Sequence, residues 1–340
     1  MASLNQIDRD VRGLKGAKER GEGDGIAKAA SAARRDPFCD KDILGAQGFY
    51  ETANFLLVYN SKALTDGHAL IITRRHVLGL LDLTDSETKE LFDVLNRALP
   101  AVLDLYNNGS MAYDLKIRSG EFSGRTVNHF HVHIIPRKKV NDGNGGTEFE
   151  RIYEMSLQNL DRPFLDSIEN DVKALRSRMN AQNTNDIVFG PSIEGRGLDG
   201  ALLDNVFYES KHFVALCHPS PVIEGQAILV PKRDVAGMLE LTEEERNDLM
   251  ITYARVMKTL LEQYGDKSRS YVTSMQVGGY DNMPIERLHI NLIPRSESDR
   301  YSGHDDDMYY DLYEKRDQRP VLTKEEVLAE VRSLKGLERR

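Results

Sequence analysis

Apolar and polar positions along this chain switch between two periods. Phe55-Leu56-Leu57-Val58 and Ala69-Leu70-Ile71-Ile72 are short apolar runs on either side of Asp66-Gly67, a turn dipeptide, and predict the strands of a hairpin. The period then lengthens, with Leu91, Val94, Leu95 and Leu99 recurring at helical spacing. Thr84 and Glu87 have the spacing of a capping box and set the start of that helix, and Pro100 is expected to kink or end it. Residues 112–118 and 127–135 read again as strands, joined by the glycine-containing loop 119–126. Strand, strand, helix, strand, strand, helix predicts an α+β domain with an antiparallel sheet backed by helices.

The pattern occurs twice. Laying Phe49-Tyr50-Glu51 over Phe207-Tyr208-Glu209 gives an offset of 207 − 49 = 158. At that offset Gly67 falls on Gly225, Val77 on Val235, the Thr84 and Glu87 pair on Thr242 and Glu245, and Ile135-Pro136-Arg137 on Ile293-Pro294-Arg295, without a gap. Further on, Tyr153 and Arg162-Pro163 in one copy, and Tyr313 and Arg319-Pro320 in the other, precede another helical pattern, so each copy is expected to close with a helix. The period far exceeds the roughly 20 to 50 residues of solenoid units, which makes these duplicated domains. The expected organisation is a mobile tail over 1–36, a first domain over 37–180, a linker over 181–200 rich in Asn, Gly, Ser and Pro, and a second domain over 201–340.

Composition narrows the function. A chain of 340 residues, 40% hydrophobic and 29% charged, has room for two buried cores. A net charge of −9 gives no strong nucleic-acid signal, because that footprint needs a basic surface. Cys39 and Cys217 belong to no CxxC pair, so neither a disulfide framework nor a cysteine zinc site is indicated, and a reducing compartment fits. No apolar run approaches the roughly 18 residues of a membrane helix, and acidic residues interrupt the basic N-terminal stretch, so the expected location is cytoplasmic or nuclear, with no membrane partner.

Three of the nine histidines, His129, His131 and His133, fall in five positions. On a strand they project to one face while Phe130, Val132 and Ile134 take the other. A metal site is one rival reading of such a face, although the spacing assigns no metal ligands beyond it. A structural cluster is another, and it would be a costly way to build a core.

The ordered set Asn60, Gly67-His68, Gly120, Gly124, Thr126 and His129-Phe-His-Val-His-Ile-Ile-Pro-Arg resembles the histidine triad (HIT) superfamily, and most closely its fragile histidine triad branch, the dinucleoside polyphosphate hydrolases. The resemblance covers residues 49–178 well and 207–335 more weakly. It implies a pair of HIT-like α+β domains, here an intrachain pseudo-dimer and so a monomer. It also implies a nucleotide substrate, diadenosine triphosphate or tetraphosphate, cleaved through a nucleotidyl-histidine to release AMP. No cofactor is bound by motif, and magnesium travels with the substrate. By position His131 is the nucleophile, His68 orients its ring, His133 bonds the leaving phosphate side and His129 shapes the loop. Asn60 faces the ribose, while Gly124, Thr126 and the arginines Arg118 and Arg125 face the phosphates. Arg118 and Arg125 stand where that branch carries glutamines; the blander reading of each is an arginine bonded to a loop carbonyl.

In the second copy only the nucleophile position survives. His289 is flanked by Arg287 and Asn291, His68 becomes Gln226, Asn60 becomes His218, Arg118 becomes Gln276 and Arg125 becomes Met283. Little or no catalysis is expected there; His289, Gln276 and Arg287 remain as a second-copy candidate site, and the preferred reading is a half retained to build the fold. Phosphorylase or nucleotidyltransferase activity and a nucleotide-binding sensor or scaffold with little turnover are the alternatives to hydrolysis.

Overall fold

The computed structural model describes residues 36–60, 63–106, 112–125, 127–137, 173, 204–277, 287–301, 308 and 321–338. Residues 1–35 of the expected tail, Thr126, Met283, the linker over 181–200 and, apart from Lys173, the closing helix of the first copy lie outside the described residues. So do Tyr153, Arg162-Pro163, Tyr313 and Arg319-Pro320.

Among the described residues ten strands form one sheet. The first half contributes β1 (Gly48–Glu51), β2 (Phe55–Tyr59), β3 (Ala69–Thr73), β4 (Tyr113–Ser119) and β5 (His131–Pro136). The second contributes β6 (Val206–Glu209), β7 (Phe213–Cys217), β8 (Ala227–Pro231), β9 (Ser270–Val277) and β10 (Ile290–Arg295). They lie in the order β1-β2-β3-β5-β4-β9-β10-β8-β7-β6, with every neighbouring pair antiparallel. The halves meet at β4 and β9, paired from Tyr113 opposite Val277 to Ser119 opposite Tyr271. Within that ladder Lys116 faces Ser274, its own counterpart, since 274 − 116 = 158. A pseudo-two-fold axis therefore passes through this pair. The duplication detected in sequence is the symmetry of the sheet, and the fold is the tandem α+β pair the pattern predicts.

Among the described residues the α-helices seen from end to end are α1 (Lys41–Gln47), α2 (Asp85–Tyr106), α3 (Glu243–Tyr264) and α4 (Lys324–Glu338), the last being the closing helix expected of the second copy. Both capping boxes form. The Thr84 N–H donates to Glu87 at 2.8 Å and the Glu87 N–H to Thr84 Oγ1 at 3.3 Å, while Thr242 and Glu245 repeat the exchange at 2.8 and 3.2 Å. This satisfies the first-turn donors that an α-helix leaves unpaired. Pro100 does not end its helix: α2 runs on to Tyr106, the same length as α3. Leu99, Ala101 and Val102 around the proline are completely buried, and packing of this kind outweighs one missing backbone bond.

Alternation sorts the strand residues onto two faces. Phe55, Leu57, Ile71, Val132 and Ile134 pack with Leu91, Leu95 and Leu99 of α2 in a core that continues through Val256 and Leu260 of α3, so one core spans both halves. Each such side chain contributes about 1.5 to 3 kcal/mol by leaving water. On the opposite face Val58, Leu70 and Ile72 pack under Phe38 and Leu44 of the N-terminal segment. His131 and His133 lie on this second face. Among the described residues no helix is long and apolar enough to cross a membrane.

Candidate active site

Strand β5 carries the chemistry. His131 lies one residue after Phe130, which is completely buried in the core, so the backbone between them is fixed and the imidazole has little freedom. Its Nδ1 lies 2.7 Å from the carbonyl of His129. A carbonyl can only accept, so Nδ1 carries the proton and Nε2 keeps its lone pair. Among the described residues Nε2 makes no hydrogen bond. Burial lowers the His131 pKa to about 4 against the pull of that carbonyl, with the charge of Arg118 adding to the effect. The ring is neutral near pH 7, the state a nitrogen nucleophile requires.

His133 is fixed by a chain of donors. The Leu64 N–H donates to His68 Nδ1 at 3.1 Å, which puts the His68 proton on Nε2, and that nitrogen lies 2.9 Å from His133 Nδ1. His133 Nδ1 therefore accepts, and its own proton sits on Nε2. Burial first, then the neighbouring His131, pushes the His133 pKa well below its usual value. The two rings stand edge to face at 4.8 Å, one presenting a lone pair and the other a proton. This corrects one expectation: His68 bonds His133, and the orientation of His131 comes from the backbone of β5, the nearer rigid acceptor. Asn60 Nδ2 lies 3.3 Å from His68 Nε2, at the mouth of the same chain.

Arg118 follows Ile117, which pairs with Val132 at the end of the β4–β5 ladder, and donates through Nη1 to the Gly124 carbonyl at 2.9 Å. Arg125 donates through Nη1 to the Leu78 carbonyl at 2.7 Å. Both guanidiniums are thus bonded to loop carbonyls, as the blander reading has it, while their charge still reaches His131. Gly120 and Gly124 take φ of 87° and 70°, which explains glycine at both positions.

His129 is turned elsewhere. It is completely buried, with Nε2 2.7 Å from the Thr73 carbonyl and Nδ1 2.6 Å from Asp36 Oδ2. The same carboxylate oxygen takes His76 Nδ1 at 2.9 Å. Burial would raise the Asp36 pKa, but the hydrogen bonds from His129 and the Phe38 N–H hold it well below the usual carboxylate range. Asp36, Cys39, His76 and His129 each offer one ligand atom, all within 4.8 Å of one another. One oxygen, one sulfur and two imidazole nitrogens at that spacing suit zinc. Sequence spacing assigns no metal here, because Asp36 replaces the cysteine that a CxxC search looks for. The Asp-x-x-Cys spacing was the available signal. Phe38, edge-on to His131 at 5.2 Å, was also missed, since residues up to 36 read as tail and 37–39 carried no motif.

The second copy reproduces the frame with different groups. His289 Nδ1 lies 2.9 Å from the Arg287 carbonyl, as His131 does from that of His129. The Val222 N–H donates to Gln226 Oε1 and Gln226 Nε2 to Asn291 Oδ1, both at 2.8 Å, an amide version of the chain from Leu64 through His68 to His133. Arg287 donates to the Lys232 and Arg233 carbonyls at 3.0 and 3.2 Å, and Gln276 is buried on β9. These groups satisfy backbone and one another, and the positions of Arg118 and Arg125 are taken by Gln276 and Met283, neither of which is cationic.

Comparison with known proteins agrees with this geometry. A model of the HIT domain matches residues 44–140 and 200–298. The chain is 36% identical over 96 residues to the nitrilase and fragile histidine triad fusion protein NitFhit of Caenorhabditis elegans, a match covering 28% of this chain and 21% of that protein. It is 38% identical over 103 residues to the asymmetrical bis(5'-nucleosyl)-tetraphosphatase of Schizosaccharomyces pombe, covering 30% of this chain and 56% of that protein. The chain thus spans little more than half, or less, of these relatives. In fold it is similar to an ADP-glucose phosphorylase of Arabidopsis thaliana, with a TM-score of 0.54 at 10% identity over 90% of this chain and 92% of that one. With both segments matched, which together make up more than half of its length, the chain belongs to the HIT domain family and carries two such domains in tandem.

Proposed function

We propose that the first half hydrolyses dinucleoside polyphosphates, diadenosine triphosphate or tetraphosphate, through a nucleotide carried on His131. The observation that supports it most is the pair of opposite tautomers at 4.8 Å: a lone pair on His131 Nε2 beside a proton on His133 Nε2. Nε2 of His131 attacks the α-phosphorus. The bond to the bridging oxygen breaks, and His133 donates a hydrogen bond to that oxygen as it takes up charge. Water then attacks the phosphorus of the nucleotidyl-histidine, the N–P bond breaks and AMP leaves. Each displacement is easier than a single direct attack by water. Arg118 and Arg125 stabilise the negative charge that develops on the phosphates, and the guanidinium fork suits phosphate better than an amide does.

The set Asp36, Cys39, His76 and His129 would hold a zinc ion. These residues would then be cross-linked, tying the N-terminal segment to the loop before β5, outside the reacting pair.

Turnover decides the reading. Incubation with diadenosine triphosphate should release AMP, and His131→Asn should reduce that rate by more than about 10⁴-fold while nucleotide binding persists. Tight binding by the wild type without product would favour a sensor. ADP formed in place of AMP when inorganic phosphate is supplied would make phosphate the acceptor and the enzyme a phosphorylase.

A further inference from the structure

The arginines whose charge reaches His131 are held through backbone that the other half of the molecule fixes. Arg118 is bonded to the Gly124 carbonyl, and the loop bearing that carbonyl rests on the start of β9. The Phe122 N–H donates to Ser270 Oγ at 3.0 Å. Gly120 lies so close that a Cβ added to it would fall 2.4 Å from Ser270 Cα and 2.2 Å from its Oγ. Ser270 Oγ is itself fixed by Ser268 Oγ at 2.6 Å. Arg125 is bonded to the Leu78 carbonyl, and two residues on, the Leu80 N–H donates to the Tyr271 hydroxyl at 3.1 Å. Two adjacent residues of the second half therefore hold the two segments that hold the two arginines.

The duplication tests whether this is merely how the halves fit together. Tyr271 has a tyrosine counterpart, Tyr113, but Ser270 falls on Ala112, since 270 − 158 = 112, and alanine has no hydroxyl to give. Arg118 and Arg125 fall on Gln276 and Met283. The half that carries arginines receives a serine from its neighbour, and the half without them receives an alanine. A purely architectural contact would have no reason to follow the arginines.

We infer that the second half is a working part of the first half's site: Ser270 and Tyr271 are positioning residues that set Arg118 and Arg125 against the substrate phosphates. A guanidinium fork rewards pre-set geometry, and a loop carrying glycines at positive φ has much freedom to lose, so an anchor from a rigid strand removes that cost before substrate arrives. The inference rests on the nucleotidyl-transfer reading for the identity of the ligand, though not for the anchoring itself.

The test compares Ser270→Ala, Tyr271→Phe and Ala112→Ser in the full chain, by steady-state turnover of diadenosine triphosphate and by amide hydrogen exchange. Ser270→Ala should lower kcat/KM about tenfold, the loss of one hydrogen bond, and should speed exchange at Phe122 selectively. Tyr271→Phe should act likewise at Leu80. In an Arg118→Ala background Ser270→Ala should cost less than about twofold, because the group it positions is gone. Ala112→Ser should leave kcat/KM and loop exchange at wild-type values. Unchanged exchange and kcat/KM in Ser270→Ala, exchange raised throughout the chain, or a full tenfold cost in the Arg118→Ala background would each overturn the inference. If the wild type turns over no dinucleotide, the functional reading fails, and exchange at Phe122 and Leu80 still decides the anchoring.

Discussion

Three imidazoles, one in the loop before β5 and two on the strand, which starts only at His131 and not at 127 as the alternation predicts, are fixed by three kinds of partner: a carboxylate for His129, a backbone carbonyl for His131 and a second imidazole for His133. Their roles follow from those partners. Only His131 and His133 present opposite tautomers to one space, and that depends on His68. His68→Ala should therefore lower kcat by roughly 100-fold with little change in KM, because His133 loses the donor that sets its proton. A steady-state comparison with wild type checks this, and unchanged kcat would break the proposed donor chain. Around His129 the expectation is compositional. Wild type should retain about one zinc per chain through purification, and Cys39→Ala or His76→Ala should lose most of it, as read by atomic absorption.

At the scale of elements, the two long helices are set by the same four-residue device. Glu87 and Glu245 are buried, and each accepts from its Thr N–H and from an arginine, Arg75 or Arg233. The arginine first, and the helix cap after it, lower both glutamate pKa values from 4.5 to about 2 despite burial. A carboxylate with a depressed folded-state pKa gives stability that is complete above its unfolded value and is lost as pH falls through the folded one. These helices should accordingly weaken between pH 4.5 and about 2. Glu87→Gln and Glu245→Gln should each cost about 1 kcal/mol at neutral pH and flatten that acid limb, measured by denaturant unfolding across pH. An acid limb as steep as that of wild type would assign it to other groups. Both boxes are legible in sequence because capping is local. Pro100 misleads for the opposite reason, since its cost is local but the burial that outweighs it is not.

At the scale of the molecule, β4 and β9 join two sheets into one, and a single core runs beneath both. The pair interface that separate subunits would have to find in solution is thus built into the chain. Sedimentation should show a 38.5 kDa monomer, and calorimetry one unfolding transition for both halves. Val272→Pro, in the middle of β9, removes a ladder donor next to the junction and should lower stability by about 3 kcal/mol or more while keeping one transition. Two separated transitions in the variant would show that the halves fold independently.

Sequence alone determined what depends on period, offset and residue type: the α+β class, the duplication at 158 residues, the capping boxes, the histidine face of β5 and the loss of the triad in the second copy. These are legible because each is written in neighbouring or regularly spaced residues. Tertiary structure decided what depends on meetings across the chain. It brought Asp36, Cys39 and His76 to His129 and Phe38 to His131, gave His68 to His133 in place of His131, and laid Ser270 and Tyr271 against the first half's loops. No spacing rule reaches across 148 or 191 residues. The register of β4 on β9 does, and it turns an apparently idle half into the support of the site that retained its histidines.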